Sequence, residues 1–292
     1  MQTPSFSINF VLMNIFLTVS DTQMELDQLR KASKSIGFVP TMGALHRGHL
    51  ELMKTAKRDN DILVVSIFVN PIQFNNKEDL EKYPRNLEND ISLLEEINCD
   101  ILFSPSVEEM YPEPEKEKFD FGSLERVMEG AFRPGHFNGV AIVVKKLFDV
   151  IKPDTAYFGE KDFQQLAIIR KLVEMEQIPV SIVACPIVRE EDGLAMSSRN
   201  KRLTEKERLV APFIYNALTD AKNQIKKMSP DEVKFRLKNQ FADQSDFRLE
   251  YFEIADDKNL QPVSSWTEST GIRGFIAAYL GQVRLIDNIR FI

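Results

Sequence analysis

Cysteine is scarce in this 292-residue sequence, which contains only Cys99 and Cys185. The two cysteines lie far apart, each at the edge of a strand-like segment, and they form no C-x-x-C pair. This pattern predicts two buried free thiols, which suits a reducing compartment. We therefore expect a cytoplasmic protein.

Basic residues are fewer than acidic ones: the sequence has 37 Lys and Arg residues and 44 Asp and Glu residues. Its net charge is therefore −7. Such a chain repels nucleic acid overall, so we expect no nucleic-acid partner, tRNA included. Apolar residues make up 43% of the chain and charged residues 28%, which argues against disordered and collagen-like classes. The length favours a globular enzyme with two domains.

Basic residues are missing from the N-terminal segment, where none precedes Arg30. A signal peptide needs a basic start and a continuous apolar stretch, but Asn9 and Asn14 interrupt the apolar residues of 1–20. We therefore expect neither export nor a membrane partner.

Strand-like and helix-like segments alternate up to about residue 187. The predicted strands are 14–19, 35–39, 62–68, 100–103, 155–158 and 180–184. The predicted helices run from a cap at Ser20 or Asp21 to Leu29, and over 49–58, 87–97 after a cap at Asn86, 139–151 and 162–175. This alternation predicts an α/β fold, a Rossmann-like parallel sheet with helices on both faces.

The pattern changes after about residue 190. Helices predicted near 204–226 and 229–241 precede three strand-like segments at 247–255, 274–280 and 283–288. Helices followed by strands indicate an α+β unit. We therefore divide the chain near Val188 into a Rossmann-like domain, 1–187, and a smaller α+β C-terminal domain, 188–292, with Asp192 and Gly193 as a candidate hinge.

Histidine is also scarce, yet two of the three histidines stand three residues apart, at His46 and His49. They lie in P-T-M-G-A-L-H-R-G-H-L, 40–50, between a predicted strand and a predicted helix. Backbone N–H groups at a helix N-terminus attract phosphate, and Gly43 and Gly48 leave room for it. We predict a polyphosphate site here. The alternatives are a pair of surface or core histidines, or a zinc site that lacks an obvious third ligand.

Other polar motifs follow other predicted strands. Asn70 and Gln73 follow the third strand, Lys161 and Asp162 follow the fifth, and M-S-S-R, 196–199, follows the sixth. Ligands of parallel sheets bind outside the carboxyl ends of the strands, so we expect these motifs to converge. Lys161 is suited to countering phosphate charge, whereas Asp162 serves equally well as the N-cap of the next helix.

Five further sequence blocks accompany the histidine motif. They are V-V-S-I-F-V-N-P-I-Q-F (64–74), Y-P-R-N-L (83–87), R-P-G-H-F-N-G-V (133–140), F-G-E-K-D-F-Q-Q-L (158–166) and D-G-L-A-M-S-S-R-N (192–200). Together with H-x-G-H they resemble, in order and over nearly the whole chain, the pantothenate synthetase family of the H-x-G-H nucleotidylyltransferase superfamily. Members of that family typically begin near the position of Met13, so we expect residues 1–12 to be a disordered or loosely packed extension.

The resemblance implies an ATP-dependent ligase that joins (R)-pantoate to β-alanine through a pantoyl adenylate and releases AMP and pyrophosphate. It implies catalytic roles for His49, as acid or charge stabiliser, and for His46 and Lys161. The ATP-binding residues that it implies are Met42, Gly43, Ala44, Leu45, His46, Arg47, Gly48, His49, Gly159, Glu160, Lys161, Asp162, Val188, Met196, Ser197, Ser198 and Arg199.

The same resemblance implies that Gln73 and Gln165 contact pantoate. A neutral amide holds a carboxylate without the ion pairing that would blunt its nucleophilicity. Pro40, Asn70 and Tyr83, together with Met42, are expected to line the same cavity, although Met42 and Tyr83 suit the core equally well. The loop with Arg133, His136 and Asn138 receives no assigned role.

Three further expectations concern the metal, the assembly and the lid. Mg²⁺ is expected to sit mainly on the phosphates with at most one protein carboxylate, for which Asp90 is a candidate. The family resemblance also implies a homodimer, and a C-terminal domain that closes over the active site.

Two rival functions keep the nucleotide site. One is a nucleotidyl transferase whose product retains AMP, such as a dinucleotide-forming adenylyltransferase. The other is a nucleotide-binding regulatory protein with a degraded site. The motif residues that argue against degradation are intact: His46, His49, Lys161, Ser197, Ser198 and Arg199.

Overall fold

The computed structural model describes residues 13–292, so the expected extension over 1–12 falls outside the described residues. The strands are β1 (Asn14–Phe16), β2 (Ile36–Thr41), β3 (Ile62–Ile67), β4 (Ile101–Phe103), β5 (Thr155–Gly159), β6 (Ser181–Cys185), β7 (Phe247–Asp256), β8 (Ile272–Leu280) and β9 (Val283–Arg290). The helices are α1 (Val19–Lys31), α2 (Arg47–Asp59), α3 (Lys77–Glu81), α4 (Leu87–Glu96), α5 (Val107–Met110), α6 (Met128–Phe132), α7 (His136–Ile151), α8 (Phe163–Met175), α9 (Glu205–Val210), α10 (Phe213–Asn223) and α11 (Pro230–Ala242).

Within residues 13–292, six strands form one parallel sheet in the order β1-β4-β3-β2-β5-β6. The chain runs from β2 outward through β3 and β4, and it later continues on the other side of β2 with β5 and β6. The strand order therefore reverses at β2, and a crevice opens beyond the carboxyl ends of strands at such a point. The predicted Rossmann-like sheet is confirmed.

Apolar side chains cover both faces of this sheet. On one face Phe38 and Val64 pack against α1, α7 and α8. On the other face Val39 and Val65 pack against α2 and α4. Burial of both faces explains why the central strands are apolar without interruption, as is usual in parallel sheets. The predicted placement of helices on both faces is confirmed.

The C-terminal part of the chain has its own hydrophobic cluster. Helices α10 and α11 pack against an antiparallel sheet of order β7-β8-β9, and Leu194 joins the same cluster. This is the α+β arrangement that the sequence predicts. The domain boundary near Val188 stays a prediction.

Several predicted element boundaries are wrong. Strand β1 ends at Phe16, because Thr18 caps α1 by accepting a hydrogen bond from the backbone N–H of Asp21 at 3.2 Å. The predicted cap residues therefore lie inside the helix. Strand β2 continues to Thr41, and α2 begins at Arg47 rather than at residue 49.

Two further corrections concern proline and the loop after Arg133. The helix predicted over 204–226 is interrupted, since Pro212 has no N–H to donate to the preceding turn, and it becomes α9 and α10. Helix α7 begins at His136, so His136 and Asn138 are helical residues rather than loop residues. No helix among residues 13–292 is long and apolar enough to cross a membrane.

A glycine marks the contact between α7 and the turn Pro71–Gln73. A Cβ on Gly139 would lie 2.6 Å from the carbonyl oxygen of Ile72 and 2.7 Å from the Cα of Gln73. Because both are backbone atoms, we expect Gly139→Ala to lower the free energy of unfolding in urea by about 1–3 kcal/mol.

The matched control is Gly159→Ala, whose Cβ would meet its nearest neighbour, the Cδ1 of Leu52, at 3.9 Å. This control should unfold at nearly the wild-type urea concentration. Equal stability of Gly139→Ala and the wild type would contradict the prediction.

Candidate active site

The turn between β2 and α2 requires an anchor, because Gly43 and Ala44 have φ angles of +75° and +49°. A left-handed conformation is unfavourable for a residue with a Cβ. Asp90 of α4 stabilises the turn, since its carboxylate accepts the backbone N–H of Ala44 and that of Leu45, each at 2.8 Å. Burial raises the pKa of Asp90, although these two bonds favour its charged form.

Both histidines of the motif lie at the start of α2. His46 is the N-cap, and its Nδ1 accepts the backbone N–H of Gly48 at 3.1 Å. The proton of its neutral ring is therefore on Nε2. The ring of His49 stacks on it at a centroid distance of 4.0 Å, and the Nδ1 of His49 is buried without a hydrogen-bond partner.

Burial also sets the protonation state of these two rings. It lowers the pKa of His46 to about 3, helped by the charge that His49 carries at such low pH and by the charge of Lys161. It lowers the pKa of His49 to about 4, again helped by Lys161. Both imidazoles are therefore neutral at pH 7, and each offers one N–H donor.

The turn after β5 brings a cation to the same place. Residues Glu160–Asp162 form a single 3₁₀ turn, and the Nζ of Lys161 lies 3.8 Å from the Oδ1 of Asp162. Asp162 precedes α8, but its side chain accepts no hydrogen bond from the backbone of that helix. Asp162 therefore occupies the N-cap position without a side-chain capping bond, and it also lines the cavity.

The M-S-S-R segment follows β6 and begins another 3₁₀ turn. The Oγ of Ser197 accepts the backbone N–H of Arg199 at 3.2 Å, and the Oγ of Ser198 lies 3.5 Å from the hydroxyl of Tyr83. The guanidinium of Arg199 pairs with Asp79 at 2.9 Å. The sequence did not predict the contact between Asp79 and Arg199, because Asp79 lies in α3, 120 positions before Arg199.

Amide side chains also line the cavity. Gln73 is buried, and its Nε2 lies 3.1 Å from the Sδ of Met42. The Nδ2 of Asn70 donates to the Oε1 of Gln73 at 3.2 Å. Gln165 lines the same space from α8. The amides thus line the same cavity as Lys161 and the two histidines.

Helix α7 supplies an apolar wall that we did not predict. Its residues Val140, Val143, Val144 and Leu147 line the cavity at positions i, i+3, i+4 and i+7. That spacing is one face of a helix, so the signal was present in the sequence. It could not be distinguished from core packing, because almost all of α7 is apolar and buried.

One cavity brings together most of the predicted site residues. They are Pro40, Met42, His46, Gly48, His49, Asn70, Gln73, Tyr83, Gly159, Lys161, Asp162, Gln165, Val188, Met196, Ser197, Ser198 and Arg199. Five implied ATP-binding residues do not line it: Gly43, Ala44, Leu45, Arg47 and Glu160. Ala44 and Leu45 direct their N–H groups to Asp90, and Glu160 lies 3.5 Å from Arg273.

A metal would find few protein ligands here. Residues 13–292 contain no group of three or more His, Cys, Asp and Glu side chains arranged to hold a metal ion. Asp162 is the one carboxylate among the described residues that line the cavity. This fits Mg²⁺ only as an ion carried mainly by phosphates, because Mg²⁺ keeps several waters and seldom uses an all-protein cage. Asp90 anchors the turn and does not line the cavity.

The fold and the cavity define a Rossmann-like nucleotide-binding enzyme of the H-x-G-H type. The family model described as pantoate-beta-alanine ligase matches residues 14–290. The chain is 52% identical over 279 residues to the pantothenate synthetase of Bacteroides thetaiotaomicron, covering 96% of this chain and 99% of that relative. The chain belongs to the pantoate-beta-alanine ligase family, and the predicted family is confirmed.

Solved structures agree with this assignment. The crystal structure of the Thermus thermophilus pantothenate synthetase is 44% identical, with a TM-score of 0.90 over 96% of this chain and 99% of that one. The Francisella tularensis pantoate-beta-alanine ligase, described as complexed with beta-gamma ATP and beta-alanine, is 37% identical, with a TM-score of 0.81 over 96% and 98% of the two chains.

The third histidine yields a prediction about stability. His136 is 6% exposed, and burial, together with the charge of Arg133, lowers its pKa to about 4. An unfolded histidine has a pKa of about 6.5. Between pH 6.5 and pH 4 the unfolded chain therefore binds a proton that the folded chain does not, and stability falls as the pH falls.

We expect His136→Gln to remove this contribution. Relative to the variant, the wild type should lose up to about 1.4 kcal/mol of unfolding free energy per pH unit as the pH falls below 6.5. Urea unfolding of both proteins at pH 7, 6 and 5 measures the difference, and His46 and His49 contribute equally to both. Parallel stability curves would contradict the prediction.

Proposed function

We propose that this enzyme condenses (R)-pantoate with β-alanine in two steps, through a pantoyl-adenylate intermediate, with ATP as co-substrate. One observation carries the proposal: a single cavity holds two neutral imidazoles, Lys161 and the M-S-S-R segment beside the amides of Gln73 and Gln165. The description of the Francisella tularensis relative supports ATP and β-alanine as substrates here.

In the first step, a carboxylate oxygen of pantoate attacks the α-phosphorus of ATP, and pyrophosphate leaves. Negative charge on the phosphoryl oxygens must then be stabilised by positioned donors. The N–H groups of His46 and His49 and the ammonium of Lys161 serve this purpose. Neutral imidazoles donate hydrogen bonds without first losing a proton, so their low pKa values suit the role.

The buried Nδ1 of His49 is consistent with this role. A buried polar atom without a partner is costly, and such atoms in native structures call for an explanation. Bound nucleotide would bring phosphate oxygens and ordered water to the start of α2, where His49 lies one turn from His46. The free protein would thus hold a polar group ready for the ligand.

Pantoate is proposed to lie between Gln73 and Gln165. The amides can hold its carboxylate and hydroxyl groups without forming an ion pair, so the carboxylate keeps its nucleophilicity. Gln73 is held in place by Asn70 at 3.2 Å, and Asn70 is held by the hydroxyl of Tyr111 at 2.8 Å. Such support keeps the reacting groups in a fixed orientation.

In the second step, the amine of β-alanine attacks the acyl carbon, the acyl–phosphate bond breaks, and AMP leaves with the electron pair. The amine loses a proton as the amide forms. The mixed anhydride must be kept from water, and the apolar wall of α7 and closure of residues 188–292 are proposed to exclude it.

The proposal includes a metal ion and an assembly. Mg²⁺ would be held mainly by the phosphates, with Asp162 as the protein carboxylate, and it would supply charge neutralisation there. A homodimer and a cytoplasmic location rest on the resemblance and on the cysteine pattern.

An assay of the products tests the proposed function. Purified protein incubated with ATP, Mg²⁺, pantoate and β-alanine should form pantothenate, AMP and pyrophosphate in equal amounts. Omission of β-alanine should leave ATP–pyrophosphate exchange that depends on pantoate. AMP retained in a larger product would favour a nucleotidyl transferase, ADP would indicate a different activation chemistry, and no turnover would favour a regulatory protein.

His49 provides a sharper test of the first step. Changing His49→Ala should lower the rate of adenylate formation by about 10²–10³, with a smaller effect on ATP affinity, because its donor acts on developing charge. Single-turnover formation of pantoyl adenylate measures the rate. His49→Asn, which retains a neutral N–H donor, should recover part of it. A normal rate in His49→Ala would remove His49 from the mechanism.

A further inference from the structure

Two neighbouring residues of β9 link both of the segments proposed to hold the triphosphate: Asn288 contacts the Lys161 turn directly, and Asp287 reaches the M-S-S-R segment through Arg189. Asn288 is 2% exposed and Asp287 is 4% exposed. Strand β9 belongs to the C-terminal sheet and packs against the turns at Glu160–Asp162 and Ser198–Arg202. Neither residue lines the main cavity.

Asn288 holds the turn that carries Lys161. Its Nδ2 donates to the carbonyl oxygen of Glu160 at 2.9 Å and to that of Lys161 at 3.0 Å. Its Oδ1 accepts a hydrogen bond from Arg273 at 2.6 Å. The guanidinium of Arg273 is itself held by stacking on Phe163 at 4.1 Å. The Asn288 amide is therefore fixed at its nitrogen by the two carbonyls and at its oxygen by Arg273. Every polar atom of this side chain is engaged.

Asp287 supports the stretch of chain that leads into the M-S-S-R segment. Its carboxylate pairs with Arg189 through two hydrogen bonds of 2.7 and 3.0 Å. Arg189 donates to the carbonyl oxygen of Gly193 at 3.0 Å and stacks on Tyr215 at 4.1 Å. Arg189 also forms a β-bridge with Ala195, directly before Met196. The start of the M-S-S-R segment is thereby tied to β9.

We propose that Asp287 and Asn288 form one positioning unit, which sets the spacing between Lys161 and the M-S-S-R segment. The inference rests on the proposed function, in which Lys161 and the M-S-S-R segment both bind the triphosphate. Adjacent residues of a strand alternate in direction, so one dipeptide can reach two segments on different sides. The C-terminal half then acts as part of the site's framework as well as its cover.

The first test is Asn288→Ala. Loss of the amide frees the carbonyls of Glu160 and Lys161 and lets the lysine move. Misplacement of a catalytic group by about 1 Å can cost roughly 10²-fold in rate, so we expect kcat to fall about 10- to 100-fold with a raised KM for ATP. The KM for pantoate should change little, because Gln73 is held by Asn70 instead.

A second variant separates positioning from folding. Asn288→Asp keeps the size of the side chain and the acceptor for Arg273, but it turns an oxygen toward the two carbonyls. It should remain folded and should still lose kcat and ATP affinity. Asn60→Ala is the matched control, because Asn60 also donates two hydrogen bonds through Nδ2, to Ala56 and Tyr157, at the far end of α2. It should lower the melting temperature without changing either KM.

Steady-state kinetics and ATP titration calorimetry on the wild type and the three variants test the positioning role of Asn288. If either Asn288 variant has wild-type kcat and wild-type ATP affinity, the inference is overturned. If the KM for pantoate rises as much as that for ATP, Asn288 acts through general stability, and the inference also fails. Failure of the proposed function would appear separately, as absence of pantothenate formation by the wild type itself.

Discussion

The site depends on one interaction, the pair of hydrogen bonds from Ala44 and Leu45 to the carboxylate of Asp90. Those bonds hold the left-handed backbone at Gly43 and Ala44, and this backbone places His46 at the N-cap of α2. From that position His46 accepts the N–H of Gly48, and His49 follows one turn later. A side chain on Gly48 would lie 2.8 Å from the ring of His46, so the glycine is required by this packing.

Burial disfavours the charged forms of His46 and His49. The proposed chemistry uses neutral rings as N–H donors, so this burial suits it. Desolvation is the largest cause of both lowered pKa values, and Lys161 adds to it. An imidazolium beside Lys161 would place two cations together in the free enzyme. Neutral rings avoid that repulsion and still present N–H groups to a phosphate. The cationic charge is left to Lys161 and Arg199, and Asp79 balances the latter.

Much of the architecture could be predicted from the sequence, because helix and strand periodicity is local. The parallel sheet, the helices on both faces and the motifs at strand ends follow from short segments such as 35–50 and 155–162. Contacts between distant residues could not be predicted in this way. Asp79 meets Arg199 across 120 positions, and Asn288 meets Lys161 across 127. Nothing in the sequence around Asp79 or Asn288 distinguishes them from ordinary surface or strand residues.

The two halves of the chain are linked by charge and amide contacts rather than by apolar packing alone. Arg284 of β9 makes two hydrogen bonds of 2.8 and 2.7 Å to Glu129 of α6, and the hydroxyl of Tyr251 donates to the same carboxylate. These bonds hold the pKa of Glu129 down at about 2, against the opposing effect of burial. Polar contacts depend on direction and distance, so they specify one position of the C-terminal sheet relative to α6, whereas an apolar contact would permit sliding. The proposed reaction through a water-sensitive anhydride would benefit from that specificity, because the C-terminal half and the proposed phosphate-binding groups would then reach their places together.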